Sequence, residues 1–392
     1  MRQKEVTDVK AREPIRVAQI MGKLWGGGVE SVVFNYYRAI DKNKIQFDFY
    51  YDSDSTVAPP PELIAMGANF YEIPPYQKVA SYCSTLKKIL KGKKYTIVHS
   101  HINTLSVIPL FIAWTEKVPV RIAHNHSVPG GKEFSRNALK NFLRKFSKLF
   151  PTDYFACSEK AGRWLFGNRM FANGKVMVIK NGIDFQRFMP SEETIQEKRD
   201  SLGLKNKFVV GHIGRFTYAK NHKFLFEIFA EILKQKENAR LVLVGDGELR
   251  AELKKQAETL GILGHIVFTG QVSDPENYYR LADIMIFPSF FEGLSLTTIE
   301  SQAAGVPVAV SEAIPEEAVI SNGCKRMSLR DGAKIWAQEC IQLSEVRVNL
   351  TDQSRAYDIS RCSQWLAGWY CQRIQKYETG ERSCPPQNIW QR

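Results

Sequence analysis

Residues 284–310 read IMIFPSFFEGLSLTTIESQAAGVPVAV. The apolar run 284–287 predicts a short buried strand, and 306–310 predicts another. Between them Gly293 marks a loop, and Ser295 is a suitable N-cap for a helix that carries Glu300 in its second turn. A strand, a helix and a second strand in one short span form a βαβ unit with two parallel strands.

The same alternation extends in both directions. Upstream, strands are predicted at 16–20, 47–51, 70–73, 96–99, 118–123, 154–157 and 175–180, with helices at 29–40, 81–90, 104–114 and 134–150. Residues 181–207 are polar and broken by Gly and Pro, which predicts a linker. Strands then resume at 208–213, 240–244 and 265–269, with helices between them. The fold class is therefore α/β, two doubly wound Rossmann-like domains facing a cleft, with ligands expected at the carboxyl ends of the strands. The boundaries are a tail at 1–14, a first domain at 15–188, a linker at 189–207, a second domain at 208–356, a crossover helix at 357–380 and a tail at 381–392.

A chain of 392 residues with 44% hydrophobic and 24% charged residues has the composition of an ordinary globular protein of two domains. No apolar signal core opens it, and the most apolar run, 105–114, is too short to span a bilayer. Seven cysteines without a CxxC pair argue against a disulfide framework or a zinc site and for a cytoplasmic protein. The net charge of +13 is uneven, because residues 1–188 alone carry 29 basic and 15 acidic side chains. That half expects an anionic partner. No nucleic-acid motif accompanies the charge, so a phosphate-bearing ligand or an anionic lipid surface is favoured over nucleic acid.

Glu292 and Glu300 raise the question of an acid–base pair. Eight residues on one helix would separate them by about 12 Å, beyond the span of paired glycosidase carboxylates. Glu292 belongs instead to the loop, and the amides around residues 294–297 are placed to receive a phosphate. Arg215 and Lys220 lie five apart in GHIGRFTYAKN (211–221), a loop after a strand, where Gly214 allows close backbone approach. The turn MGKLWGGGVE (21–30) is neither GxGxxG nor a P-loop, yet can approach an anion at a helix start. Four histidines fall in His99-Ser-His101 and His124-Asn-His126. Strand alternation is read as sending one member of each pair to a given side, with one of them in the cleft. Residues 132–150 predict an amphipathic basic helix suited either to a membrane interface or to an ordinary domain surface.

Taken in order, Asn181-Gly-Ile-Asp184, Gly214-Arg215 with Lys220-Asn221, Val244-Gly-Asp-Gly247, Asp283 through Ser289, and Glu292 with Glu300 followed by Ala-Ala-Gly-Val-Pro-Val resemble the signatures of retaining GT-B glycosyltransferases, family 4, "glycosyl transferases group 1". The resemblance spans roughly residues 15–320. It implies a nucleotide-sugar donor on the second domain, with a UDP-sugar favoured, and an acceptor on the first. Arg215 and Lys220 would hold the diphosphate, Glu300 the ribose hydroxyls, and Glu292 the transferred sugar. Gly214, Asn221, Gly293, Leu294, Ser295 and Leu296 would complete the donor site. Gly27 and Gly28 would border the diphosphate, and His126, or alternatively His124, would lie near the sugar.

The resemblance further implies front-face transfer with no metal ion and no cofactor, the donor being a substrate. Segment 311–331 departs from the family pattern and resembles a capsule and exopolysaccharide branch. The expected activity is that of a hexosyltransferase acting on a lipid-linked or oligosaccharide acceptor, peripheral to the inner leaflet of the plasma membrane. A nucleotide-sugar 2-epimerase and a non-catalytic subunit of a glycan machine are the rival expectations.

Overall fold

A computed structural model describes residues 13–127, 141–272 and 274–380. Of these, 13–126, 141–179 and 362–380 form one compact unit, while 180–361, together with Ser127, form the other.

The first unit holds a seven-stranded sheet of β1 (Ile15–Gly22), β2 (Ile45–Asp52), β3 (Asn69–Ile73), β4 (Ile97–Ser100), β5 (Val120–Asn125), β6 (Asp153–Ala156) and β7 (Val176–Val178). Their spatial order is β3-β2-β1-β4-β5-β6-β7, and every pairing is parallel. Helix Val79–Lys93 packs on this sheet through Tyr82, Leu86 and Leu90, spaced four apart so that they share one face.

The second unit holds β8 (Val209–Ile213), β9 (Arg240–Val244), β10 (Ile266–Gly270), β11 (Ile284–Phe287), β12 (Val308–Ser311) and β13 (Cys324–Met327). The order is β10-β9-β8-β11-β12-β13, again all parallel. The central strands β8 and β11 are buried throughout, as strands covered on both faces must be. Gly211 in β8 is required by this packing, because a Cβ there would sit 2.3 Å from Met285 Sδ of β11.

Each sheet therefore has one switch point, β1/β4 in the first and β8/β11 in the second. Outside the carboxyl ends of such strands a doubly wound sheet leaves a crevice for ligands.

Two expectations need correction, and one segment adds an element that was not predicted. Residues 189–207 are not a bare linker but carry helix Glu192–Ser201, capped by Ser191 and anchored by buried Ile195 and Leu204. Segment 311–331 contributes the edge strand β13, whose sequence CKRM has too little apolar character to announce itself. Residues 141–144 are helical as expected, but the helix does not continue to 150. Beyond Arg144 the backbone bonds run three residues apart, as Lys145 N–H to Phe142 O and Leu149 N–H to Phe146 O, so the chain passes into turns there. The remainder of that predicted helix, 132–140, lies outside the described residues, as do the first twelve residues and the tail 381–392. Among the described residues no helix is long and apolar enough to cross a membrane.

Candidate active site

At the β8/β11 switch point the loop after β8 is shaped by its neighbour after β9. Gly214 N–H donates to Val244 O at 2.9 Å, and a Cβ on Gly245, where φ is +131°, would lie 2.2 Å from Gly214 O. Gly247 is equally confined, its Cβ position lying 2.5 Å from Phe216 O. Neither glycine can be replaced without moving the loop that carries Arg215 and Lys220.

Lys220 Nζ pairs with Glu292 Oε1 at 2.5 Å, and Ser289 Oγ donates to the same oxygen at 3.1 Å. Both charged side chains are mostly buried, which strengthens their mutual attraction and adds the cost of desolvating them. Lys220 and Glu292, seventy-two residues apart in the chain, thus belong to one constellation. Arg215 is more exposed and lies 3.6 Å from Glu248.

Asn221 is held by a contact that the sequence does not announce. It sits at the left-handed start of helix His222–Leu233, and its buried amide donates to Pro288 O at 3.0 Å. It ties the Lys220 loop to the end of β11 and has that hydrogen spent.

Ser295 occupies the N-cap of helix Leu296–Ala303 but does not cap it with its side chain. Its hydroxyl accepts instead from Thr298 Oγ1 at 2.9 Å, which leaves the helix start uncapped by any side chain and electropositive. Leu294 is buried in the core beneath this turn, whereas a Cβ on Gly293 would meet nothing within 4 Å. The open space beside Gly293 and Leu296 is where an anion could approach the helix. Glu300, one turn on, accepts a hydrogen bond from Tyr279 OH. Burial raises its carboxyl above the ordinary value, while the Tyr279 bond pulls the other way.

The β1/β4 switch point is built differently. Three successive amides of the glycine turn after β1 are already engaged. The N–H groups of Trp25, Gly26 and Gly27 donate to the Glu30 carboxylate at 3.0, 2.7 and 3.2 Å. Gly28 opens helix Gly28–Ala39, so Glu30 reaches back from its first turn into the place an anion was expected to take. Burial raises the Glu30 carboxyl, and these three bonds partly offset the rise.

The four histidines depart from expectation for a simple reason. Residues two apart in a strand share a face, so His99 and His101 point the same way, and so do His124 and His126. All four are buried in one cluster. His99 Nε2 lies 3.2 Å from His124 Nδ1, and His101 Nδ1 lies 2.9 Å from His126 Nε2. The far nitrogens of His99 and His101 meet Tyr370 OH at 2.7 Å and Gln19 Oε1 at 2.8 Å. Burial first, and neighbouring imidazoles next, push His99, His101 and His124 well below the usual imidazole value, and burial brings His126 to about 3. The cluster is neutral at physiological pH.

Among the described residues His99, His101 and His124 offer ring nitrogens within 4.8 Å of one another, a donor set that suits zinc or copper. Both nitrogens of His99 and of His101 are already hydrogen-bonded, so an ion there would have to break those bonds.

Sequence reasoning missed Gln19, Glu30, Asp52 and Tyr370. Glu30 had a signal, an acidic residue three positions after the last loop glycine, as in a capping box. Asp52 ends β2 with both carboxylate oxygens buried and unpartnered among the described residues, and burial lifts it to about 7. Nothing in its local sequence marks it.

Residues 194–338 match the Glycosyl transferases group 1 family, and residues 26–187 match Glycosyltransferase Family 4. EpsF of Bacillus subtilis (strain 168) is 29% identical over 330 residues, 82% of this chain and 86% of its own. The UDP-Gal:alpha-D-GlcNAc-diphosphoundecaprenol alpha-1,3-galactosyltransferase of Escherichia coli is 28% identical over 275 residues, 68% of this chain and 69% of its own. In three dimensions the crystal structure of Anabaena Alr3699/HepE in complex with UDP superposes with a TM-score of 0.71 at 19% identity, covering 92% of this chain and all of that one. That likeness establishes a shared fold.

Proposed function

Because the chain belongs to the group 1, family 4 glycosyltransferases of GT-B fold, we propose that it moves a hexosyl group from a nucleotide-sugar to a lipid-linked or oligosaccharide acceptor in surface polysaccharide synthesis, with retention of configuration. The observation that carries this reading is the buried Lys220–Glu292 pair at the β8/β11 switch point, in the segment that leads to the uncapped start of helix Leu296–Ala303. UDP in the HepE complex and the UDP-galactose and diphosphoundecaprenol in the name of the Escherichia coli relative support a UDP-sugar donor and a diphosphate lipid acceptor.

In this mechanism the bond from the anomeric carbon to the donor phosphate breaks, and a bond from that carbon to the acceptor oxygen forms on the same face. The acceptor proton passes to the departing phosphate. Charge develops on the diphosphate, and Arg215, Lys220 and the helix start stabilise it without requiring a metal ion. A phosphate that draws Lys220 toward itself loosens Glu292, which is then free to accept from the sugar hydroxyls. Glu300 takes the ribose hydroxyls, with Tyr279 fixing its orientation.

Phe111, Trp114, Phe142, Phe146 and Leu149 are exposed in the basic first unit, with Lys145 and Lys148 among the last three in sequence. Aromatic rings interspersed with cations suit the interface of an anionic inner leaflet, where the acceptor lipid would reside.

A thermal-shift screen of UDP-, GDP- and ADP-sugars, with and without EDTA, tests the donor site. Stabilisation by one nucleotide class, insensitive to EDTA and lost in Arg215→Ala, is expected. A screen in which no nucleotide-sugar shifts the melting temperature would overturn the assignment.

A further inference from the structure

The histidine cluster is a circuit with a direction. Gln19 ends it, and an amide has two unlike ends, an oxygen that only accepts and a nitrogen that only donates. Its Oε1 faces His101 Nε2 at 2.8 Å, so that nitrogen carries the hydrogen and His101 Nδ1 is left with a lone pair. His126 Nε2, 2.9 Å away, must then donate to it, which leaves a lone pair on His126 Nδ1.

The other arm runs the opposite way. Gln19 Nε2 donates to Tyr370 OH at 3.4 Å, which turns the phenol hydrogen toward His99 Nδ1 at 2.7 Å. His99 Nε2 therefore carries a hydrogen and donates to His124 Nδ1 at 3.2 Å, so that the free hydrogen of this arm is on His124 Nε2.

Those two ends, His124 Nε2 and His126 Nδ1, are the nitrogens of the cluster that are buried without a partner among the described residues. Their rings are 3.9 Å apart, centre to centre. One end gives a hydrogen and the other accepts one. A hydroxyl does both at a single oxygen, and neither a carboxylate nor an ammonium can match the two together. A buried donor and a buried acceptor each cost free energy until they are met, so the pair favours an occupant of that kind.

We propose that Gln19 and Tyr370 are positioning residues that fix all four histidines as Nε2–H tautomers, so that His124 and His126 together hold one hydroxyl oxygen. The oxygen comes from a sugar or from a trapped water. The sugar case rests on the glycosyltransferase reading above, whereas the tautomers do not. Tyr370 arrives from helix Ile359–Thr379, so the C-terminal segment sets the polarity of a site at the end of β5.

The test is two-bond proton–nitrogen correlation spectroscopy at pH 7.5 on the full chain labelled with ¹⁵N-histidine. The four cluster histidines are expected in the Nε2–H form. Tyr370→Phe should mix the tautomers of His99 and His124 and spare His101 and His126, whereas Gln19→Met should release His101 and His126 directly and, through the phenol it orients, His99 and His124 as well. Any of the four as Nδ1–H in the wild type overturns the proposal. So does a Tyr370→Phe variant that disturbs both arms alike, the mark of a merely structural role, or binding of one equivalent of zinc that displaces the His99, His101 and His124 signals together.

Adding UDP-glucose, with UDP alone as control, then identifies the oxygen. Movement of His124 Nε2 and His126 Nδ1 with UDP-glucose only supports a sugar hydroxyl, and unmoved signals support a held water. In the first case Gln19→Met should raise the KM for the nucleotide-sugar about tenfold with kcat changed far less, the signature of a lost binding contact.

Discussion

The two sheets reach the same topological position with opposite chemistry. At β1/β4 the first unit gathers neutral imidazoles, an amide and a phenol, and closes its glycine turn on its own Glu30. At β8/β11 the second unit keeps a full ion pair, Lys220 with Glu292, and a helix start with no side-chain cap. The difference teaches that a doubly wound switch point supplies a place and not a chemistry. One switch point is lined with neutral hydrogen-bonding groups, and the other with charged ones.

Acid should distort this contrast most. His99, His101, His124 and His126 in the first unit, and His212 and His222 in the second, titrate below the usual imidazole value in the folded chain, the last two at about 3 and about 2. The unfolded chain takes those protons near 6.5. Their contribution to stability is therefore present above that pH and lost as pH falls through it. Each costs on the order of 1 kcal/mol between pH 7.5 and 5.5, so in an Asp52→Asn background, which removes the opposing carboxyl of the first unit, that unit should lose roughly 5 kcal/mol and the second about half of that. Hydrogen exchange of the two units at the two pH values checks this, and equal losses would break the comparison.

Next in size is the charged edge. Lys220→Ala and Glu300→Ala should each leave a folded protein with transfer reduced at least ~100-fold, the scale of losing a group that meets developing charge. Near-normal turnover in either variant would remove the second unit's claim to the chemistry.

Asp52 sharpens the contrast through its sign. Its folded value of about 7 lies above the unfolded one, so its contribution falls as pH rises from about 4 to 7, opposite to the histidines. Urea unfolding at pH 5 and pH 8 should show Asp52→Asn relieving the wild type of ~2 kcal/mol at the higher pH. The smallest effect belongs to Glu30. Glu30→Gln keeps an acceptor for the glycine turn and gives up only its charge, so a loss of about 1 kcal/mol is expected from thermal unfolding.

Much of the scaffold was legible because central parallel strands are continuous apolar runs, as in VVGHI of β8 and IMIF of β11. The edge strand β13 and the capped helix after Ser191 were not, since half-exposed elements carry mixed sequences. At the site, Arg215, Lys220, Glu292 and Glu300 stood out as charges in glycine-bearing loops or beside a helix start. Gln19 and Tyr370 could not, because what makes them interesting is a contact across 351 residues that no local pattern encodes. What holds Asn221 was not legible either, because only the fold reveals that its amide is spent on Pro288.

Helix Ile359–Thr379 begins in the second unit and from Cys362 onward belongs to the first. A ribosome must therefore translate all of residues 180–361 after Ile179 before the first unit can acquire Tyr370, a delay of roughly ten to forty seconds at ordinary elongation rates. For that interval the nascent histidine cluster lacks the phenol that orients one of its arms. A premature stop codon anywhere in the second unit would thus injure the first as well. Residues 362–380 are thus made after the second unit, yet they complete a unit begun before it.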